Sequence, residues 1–178
     1  ITGSVTSGAF ELRSVGVKVT FISATETVAA NDTAADDDVG TFKIKYNVEA
    51  FGADVYVDNS AAPTIATTIP DSTITTDGIR YLLEEDGATA TVANVSDSVE
   101  FTTAGGAPDS SDNVLLNDGD DADFTLTVVR TNSTANADAD GIYRVLLKAI
   151  GWASTDTTTY TVYDFNLEDF KTGTAYLN

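Results

Sequence analysis

The chain has 178 residues, which is enough for one domain that buries a core without disulfides. Its 28 acidic residues against 9 basic ones give a formal net charge of −19, which excludes nucleic acid as a partner and disfavours an anionic membrane surface. The same charge opposes self-association unless divalent cations, high salt or an interlocked strand offsets the repulsion.

The first residues, Ile1–Phe10 (ITGSVTSGAF), predict an extended arm in which Ile1, Val5 and Ala9 recur on one side. We therefore divide the chain into an arm, residues 1–12, and one β-domain, residues 13–178. After the arm, apolar and polar residues alternate with the period of a half-buried strand, first at Val15–Ile22. Ala29–Gly40 follows as a predicted acidic loop.

The clearest predicted strand is Thr41–Ala50, in which Phe42, Ile44, Tyr46 and Val48 point one way. A turn at Gly52 follows. The further predicted strands are Val55–Val57, Ile79–Leu83, Ala88–Val95, Ser98–Thr102, Val114–Leu116, Phe124–Arg130, Ile142–Trp152 and Tyr160–Phe165, and Phe170–Leu177 closes the chain. An acidic loop is predicted from Asn117 to Asp123.

The fold class follows from the number and spacing of these strands. Turn signals recur about every 8–12 residues, and apolar residues show no helical periodicity over a helical length. The sequence therefore predicts an all-β protein, an immunoglobulin-like β-sandwich with an extended N-terminal arm. Most aromatic residues fall on alternating positions and are predicted to be core, although a sugar-binding platform is an alternative for some: Trp152, Phe42, Tyr46, Phe124, Tyr143, Tyr160 and Phe165.

Catalytic chemistry is limited by the residue types that are missing. The chain has no His and no Cys, so Ser-His and Cys-His nucleophile systems and their metal sites are absent. Phosphate-binding loops and dinucleotide fingerprints are also absent. With 28 acids, a carboxylate pair at the spacing of a glycosidase can arise by chance. We therefore expect that the protein is not an enzyme and that no cofactor is required, with calcium as the one candidate.

The two acidic loops are the candidate calcium sites, because calcium prefers six to eight carboxylate and carbonyl oxygens. The alternative is that they are solvated loops that keep the molecule soluble. Loops at one end of a sandwich can converge, with Asp54 or Asp58 as further ligands. The candidate ligands are Asp36, Asp37, Asp38, Asp118, Asp120 and Asp121.

Three Asn-X-Ser/Thr sequons are candidate glycosylation sites, at Asn31, Asn94 and Asn132. In a chain this rich in Thr and Asn, three sequons are close to the number that chance gives. No apolar run reaches the roughly 18–20 residues of a membrane span, so we expect no membrane insertion. The chain contains no Met, which predicts that Ile1 follows a processing or trimming site.

The arm gives the sharpest functional hypothesis. An extended peptide can add a strand to the exposed sheet edge of a neighbour, and head-to-tail repetition of that contact builds an open filament. Ile1, Val5 and Ala9 would then be the assembly residues, and the partner would be another copy of the same chain. The alternatives are a linker from a larger surface protein or an ordinary first strand.

Four segments carry a resemblance to a known group of domains. GTFKIKYNVEAFGADVYV (Gly40–Val57) resembles a motif near the C terminus of secreted proteins of candidate-phylum bacteria such as Parcubacteria, where "F-x-I-x-F-x-V-x-A-F-G" precedes "D-x-Y-I". The likeness covers about Val15–Asn178 and implies an extracellular β-sandwich that is often appended to larger surface proteins. It transfers no functional residues. The other segments are DADFTLTVVR (Asp121–Arg130), GIYRVLLKAIGW (Gly141–Trp152) and DFKTGTAYLN (Asp169–Asn178).

The preferred functional hypothesis is a structural subunit of an extracellular filament, pilus or surface layer at the cell surface. The short arm, with no larger region before it, favours a self-contained subunit over an appended domain. One alternative is a calcium-dependent adhesion or carbohydrate-binding module. Another is a passive spacer domain of a larger surface protein.

Overall fold

The computed structural model describes residues 13–30, 38–63, 78–90, 95–103, 113–132, 140–156, 159–164 and 167–177. Within these ranges the regular structure is all strand. The predicted arm, residues 1–12, lies outside them. The strands are β1 (Gly16–Ala29), β2 (Val39–Phe51), β3 (Val55–Asp58), β4 (Ala61–Pro63), β5 (Ile79–Glu85), β6 (Ala88–Thr89), β7 (Val95–Thr103), β8 (Asn113–Leu116), β9 (Asp121–Thr131), β10 (Gly141–Ala153), β11 (Thr161–Tyr163) and β12 (Ala175–Leu177).

The first sheet, sheet A, contains four antiparallel strands in the order β1-β2-β9-β7. Its centre follows the period-2 pattern of the sequence, because alternate residues of β2 and β9 are buried and their neighbours lie on the outer face. Tyr46 and Phe124 are cross-strand partners, and their rings stack with centroids 5.7 Å apart. The alternating hydrophobic pattern therefore places one face of sheet A against the core.

The second sheet, sheet B, has the order β4-β5-β10-β3-β8. Its strand pairs are antiparallel except for β4 and β5, which are parallel. In β10 a register shift between Leu147 and Ala149 changes which residues face inward, so that Tyr143, Val145 and Leu147 join the core before the shift and Ile150 joins it after. This irregularity explains why the β10 sequence is apolar on both sides.

The C-terminal segment runs along β10 on the side opposite β5. It pairs through β11 at Ile150–Trp152, through a bridge between Lys171 and Leu146, and through β12 at Gly141–Tyr143. Leu177 is fully buried and lies against Gly40 of sheet A. This segment therefore closes one side of the space between the two sheets.

One core lies between the sheets, and the chain is a two-sheet β-sandwich. The aromatic residues predicted to be core are buried wherever the structure describes them; Phe165 lies outside the described ranges. The predicted turn at Gly52 is confirmed. Gly52 has a φ of +82°, and a side chain there would collide with the carbonyl of Ser14, so both the conformation and the space require glycine.

Four predicted boundaries are wrong. β1 continues to Ala29, beyond the predicted end at Ile22, because its second half is an exposed polar strand with a bulge. Ala88–Val95 is not one strand, since β6 ends at Thr89 and Val95 already belongs to β7. The strand predicted at Tyr160–Phe165 is confined to β11. The acidic loop ends before Asp121, where β9 begins, because Asp121 and Asp123 occupy outward positions of that strand.

Candidate functional site

The outer edge of β1 is the candidate interaction site. β1 pairs with β2 from Gly16 to Ala29, and it is the terminal strand of sheet A, so among the described strands none pairs with its other side. Alternate residues of this fourteen-residue strand therefore direct their backbone N–H and C=O groups toward the open edge. Unpaired edges of this kind are templates for another strand.

The side chains at the centre of this edge are uncharged and partly apolar. From Val19 to Thr25, between Lys18 and Glu26, the sequence contains no charged residue. Phe21, Ile22 and Val28 are 39%, 43% and 42% exposed, so β1 carries three of the six exposed large hydrophobic residues in the described ranges. Natural edge strands are usually protected by charges or proline. The edge of β1 lacks both over its central half.

A β-bulge at Ile22 sets which of these side chains face the core. The pairing register shifts between Phe21 and Ser23, and inward positions change from odd to even residues. Phe21 thus lies opposite the buried Tyr46, and Val28 lies opposite the buried Gly40. Both point toward the inner side of sheet A, yet both remain accessible because sheet B does not extend over the full width of β1. Phe21 only meets the edge of the Phe170 ring, with centroids 5.4 Å apart.

The chain enters β1 from the end of the sandwich. The guanidinium of Arg13 lies over the Trp152 ring, 5.5 Å from its centroid, and the Ser14 carbonyl lies next to Gly52. Both neighbours are on the β2 and sheet B side of β1, away from its free edge. The described chain therefore begins on the side of β1 opposite the candidate site.

The other edge of sheet A, β7, has a different character. It carries Asp97 and Glu100, and Asp97 accepts a hydrogen bond of 2.6 Å from the Tyr81 hydroxyl of sheet B. Burial of Tyr81, followed by this bond to Asp97, raises the pKa of the phenol far above its usual value. The centre of β7 is therefore charged and bonded to the opposite sheet. On β1 the charged residues Lys18 and Glu26 flank an uncharged centre, and Glu26 accepts a hydrogen bond of 3.0 Å from the Gly173 backbone of the C-terminal segment.

The acidic loop before β9 packs against the turn after β2. Asp118 accepts a hydrogen bond of 2.7 Å from the Gly52 backbone, and its own N–H donates to Asp54 at 3.0 Å. Asp120 accepts one of 2.8 Å from the Asn117 amide. These carboxylates order the loop by binding backbone and amide N–H groups. Asp54, considered as an additional ligand, does lie beside Asp118.

On the strand itself, Asp121 and Asp123 share a polar cluster with sheet A. The Asn47 amide donates to both, at 2.6 Å and 3.0 Å, and Lys45 pairs with Asp123 at 2.9 Å. The hydrogen bond from Lys45, reinforced by that from Asn47, lowers the pKa of Asp123. Asp121 thus lies at the first residue of a strand and faces outward.

The two predicted calcium clusters do not converge. Asp38 precedes β2 and lies at the Thr131 end of β9, whereas Asp121 pairs with Glu49 near the other end of β2. About ten strand residues, or roughly 33 Å, separate the two ends. Asp38 is buried and its carbonyl accepts a bond of 2.9 Å from the Asn132 N–H. Asp38 therefore lies too far from Asp118, Asp120 and Asp121 to share one calcium site with them.

Across the ranges that the structure describes, no three carboxylates are grouped so that they could hold a metal ion. Asp36 and Asp37 lie outside these ranges, so calcium binding in the first loop stays a prediction, as it does for the second. Nor does any helix in the described ranges have the length and apolar character needed to cross a membrane.

The sites predicted for assembly and glycosylation are only partly described. Ile1, Val5, Ala9, Asn31 and Asn94 all lie outside the described residues. Asn132 is described, and its side chain is buried next to Asp38. Glycosylation at the three sequons stays a prediction. Sequence reasoning missed Ile22 and Val28, because a strand pattern does not reveal which strand lies at an edge.

Comparisons with protein-family models, with curated proteins and with solved structures gave no match to this chain.

Proposed function

We propose that this chain is a structural subunit of an extracellular filament, pilus or surface layer, assembled by edge-strand complementation. Residues 1–10 of one copy would add a strand to the edge of β1 in the next copy. The observation that carries the proposal is the edge of β1, which is uncharged and partly apolar at its centre, Val19–Thr25, and with which no described strand pairs. Since arm and edge are different surfaces, the contact is heterologous and its repetition gives an open filament.

The arm sequence is compatible with this edge. Residues 1–10 contain no charged side chain, so adding them as a strand brings no further repulsion to a protein of net charge −19. Ten extended residues would span about 33 Å, shorter than the fourteen residues of β1. Ile1, Val5 and Ala9 would share one face of the added strand and could cover Phe21 and Val28.

The position of Arg13 favours donation between copies over self-pairing. Arg13 and Ser14 lie beside Trp152 and Gly52, on the far side of β1 from its free edge. An arm that paired with its own β1 would have to cross the end of the sandwich within the few residues before Arg13. A neighbouring copy requires no such crossing.

We propose that the sandwich is of the immunoglobulin-like type. The order β1-β2-β9-β7 corresponds to A-B-E-D, the order of one immunoglobulin sheet, if strands are named along the chain. If β3 is strand C and the C-terminal segment is strand G, then β10 corresponds to strand F, because it pairs with both of them. The departure from that type is β5, which takes most of the β10 edge that strand C would occupy.

We propose a cell-surface location, to which the resemblance to secreted Parcubacteria-like β-sandwich domains points. The partner is another copy of the chain, with no role for nucleic acid and no membrane insertion. Calcium, if it binds at Asp36–Asp38 or at Asp118–Asp121, would screen acidic charge where subunits meet.

The test is negative-stain electron microscopy of the full chain with and without millimolar calcium. Ordered fibres or sheets are expected, and they should disappear when residues 1–10 are deleted. A synthetic peptide of residues 1–10 should then bind the deleted variant and raise its thermal stability, because it fills the empty edge. Dispersed monomers of the full chain in both conditions would contradict the proposal and favour an adhesion module or a spacer.

A matched pair of substitutions distinguishes a specific donor strand from non-specific association of residues 1–10. Val5 and Thr6 are adjacent and would point to opposite faces of an added strand. Val5→Asp should abolish fibres, whereas Thr6→Asp, with the same added charge, should retain them. Equal behaviour of the two variants would rule out a strand with one buried face.

A further inference from the structure

The outer face of sheet B carries a second exposed apolar group, formed by a different pair of strands from the edge of β1. Ile142 of β10 and Tyr176 of β12 are cross-strand partners, and they are 48% and 56% exposed. These are the two most exposed large hydrophobic side chains among the described residues. An exposed tyrosine beside an exposed isoleucine forms a flat surface with an apolar body and a polar hydroxyl.

Polar side chains border this pair on two sides. In the next row of the sheet, Arg144 donates to Glu84 of β5 through its Nε atom. On the side of β5, Asp86 and Gly87 form a hairpin turn in which both residues have positive φ. The Asp86 carboxylate accepts a hydrogen bond of 3.0 Å from the Ile142 backbone N–H. The strand pairing therefore fixes the positions of the polar rim (Glu84, Asp86 and Arg144) as well as those of the apolar centre (Ile142 and Tyr176).

Ile142 and the polar residues beside it line an open, shallow depression of about 340 Å³, and Tyr176 lies next to it as the cross-strand partner of Ile142. This volume is at the lower end of the range for small-molecule sites. Its lining combines an apolar wall with the N–H donors of Arg144, the hydroxyl of Thr174 and two carboxylates. The residues are Glu84, Asp86, Gly87, Ile142, Arg144 and Thr174.

The chemistry of this lining selects an uncharged ligand that has both hydroxyl groups and apolar faces. An anion would meet Glu84 and Asp86 in a protein of net charge −19. A purely apolar ligand would desolvate those carboxylates without bonding to them. A cation would find Glu84 already paired with Arg144 and Asp86 already hydrogen-bonded to the Ile142 backbone. A sugar ring instead offers C–H faces to Tyr176 and Ile142 and hydroxyls to the acids and Arg144.

We infer that this patch is a binding site for a neutral saccharide of one or two rings. Tyr176 and Ile142 provide the platform, and Glu84, Asp86 and Arg144 bind the hydroxyls. The site lies on sheet B, whereas the edge of β1 belongs to sheet A, so the inference does not depend on assembly. A subunit with both features would attach its neighbours and a glycan through separate surfaces.

The test is a glycan array probed with the full chain, followed by calorimetry with soluble neutral disaccharides such as maltose, cellobiose and N,N′-diacetylchitobiose. We expect at least one neutral sugar to bind, with an affinity that salt hardly changes. Tyr176→Ala and Arg144→Ala should each weaken binding about tenfold or more. Phe51→Ala is the control, because it removes an exposed aromatic ring from sheet A.

Circular dichroism and thermal unfolding establish that each variant is folded, which is expected for Tyr176 because its ring is more than half exposed. The inference is overturned if no neutral glycan binds the full chain. It is also overturned if the Tyr176 and Arg144 variants bind as well as the control. Binding confined to charged glycans and abolished by salt would likewise contradict it.

Discussion

β1 and β2 are neighbours in sheet A and pair along most of their lengths, but they differ in position within the sheet and in burial. β2 lies between two strands, and its inward residues, including Phe42, Ile44 and Tyr46, are fully buried. β1 has a partner on one side only, and Phe21, Ile22 and Val28 remain exposed. The difference places the stabilising core at the central strand, whereas the proposed contact with other molecules uses the edge. Substitutions in each strand can separate these roles.

The largest expected effect is on assembly. Val28→Lys places a charge at the inward-facing, exposed end of β1, and lysine is the residue that natural edges use against strand addition. We expect complete loss of fibres in electron micrographs. The control, Thr20→Lys, adds the same charge to the outward face of the same strand, opposite Asn47, and should retain them. Fibres in both variants would assign assembly to another surface.

The next effect is on stability and falls on β2. Ile44→Ala removes a fully buried side chain and leaves a cavity, so it should lower the free energy of unfolding by about 2–5 kcal/mol. Val28→Ala removes an aliphatic side chain from the edge and should change the free energy of unfolding by less than about 1 kcal/mol, since Val28 is 42% exposed. Urea denaturation of the two variants measures both. Similar losses would mean that β1 belongs to the stabilising core.

Two buried tyrosines sharpen the comparison further. The Tyr81 hydroxyl donates to Asp97 of β7, so Tyr81→Phe should cost about 1–3 kcal/mol of unfolding free energy. The Tyr46 hydroxyl in β2 has no hydrogen-bond partner among the described residues, so Tyr46→Phe should be neutral or stabilising. Removal of the hydroxyl is thus expected to lower the free energy of unfolding at Tyr81 but not at Tyr46, a difference that thermal unfolding can detect.

The smallest effect concerns pH. Lys45 and Asn47 lower the pKa of Asp123 below its usual value of 3.8, so the ionised form favours the folded state. The resulting stability is present above about pH 3.8 and is lost as the pH falls through the lower folded pKa. Asp123→Asn should therefore reduce the slope of stability against pH below about pH 4. An unchanged slope would show that the surface cluster contributes nothing measurable.

Sequence patterns predicted the central strands well for a physical reason. Residues of β2 and β9 are buried on one face and half-exposed on the other, which imposes strict alternation on the sequence. The second half of β1 has no such constraint because most of its side chains are exposed, and the predicted strand therefore ended at Ile22. The bulges in β1 and β10 were not predicted either, because no distinctive residue marks the shift in pairing register.

The candidate sites were harder to predict than the strands. Which strand lies at the edge of sheet A depends on the order of four strands drawn from residues 16 to 131, and no local pattern records that order. The patch on sheet B joins Asp86, Ile142 and Tyr176, which come from three distant segments. Only its Asp86-Gly87 turn has a local signal, because the pair is favourable at positive φ.

The burial of Leu177 against Gly40 has a consequence for how the molecule is made. Synthesis proceeds from the N terminus, so the two sheets can form while the side closed by the C-terminal segment is still open. The core becomes complete only when β12 has paired with β10 and placed Leu177 against sheet A. Until then the apolar faces of the two sheets stay open to solvent on that side, where they can associate with other chains.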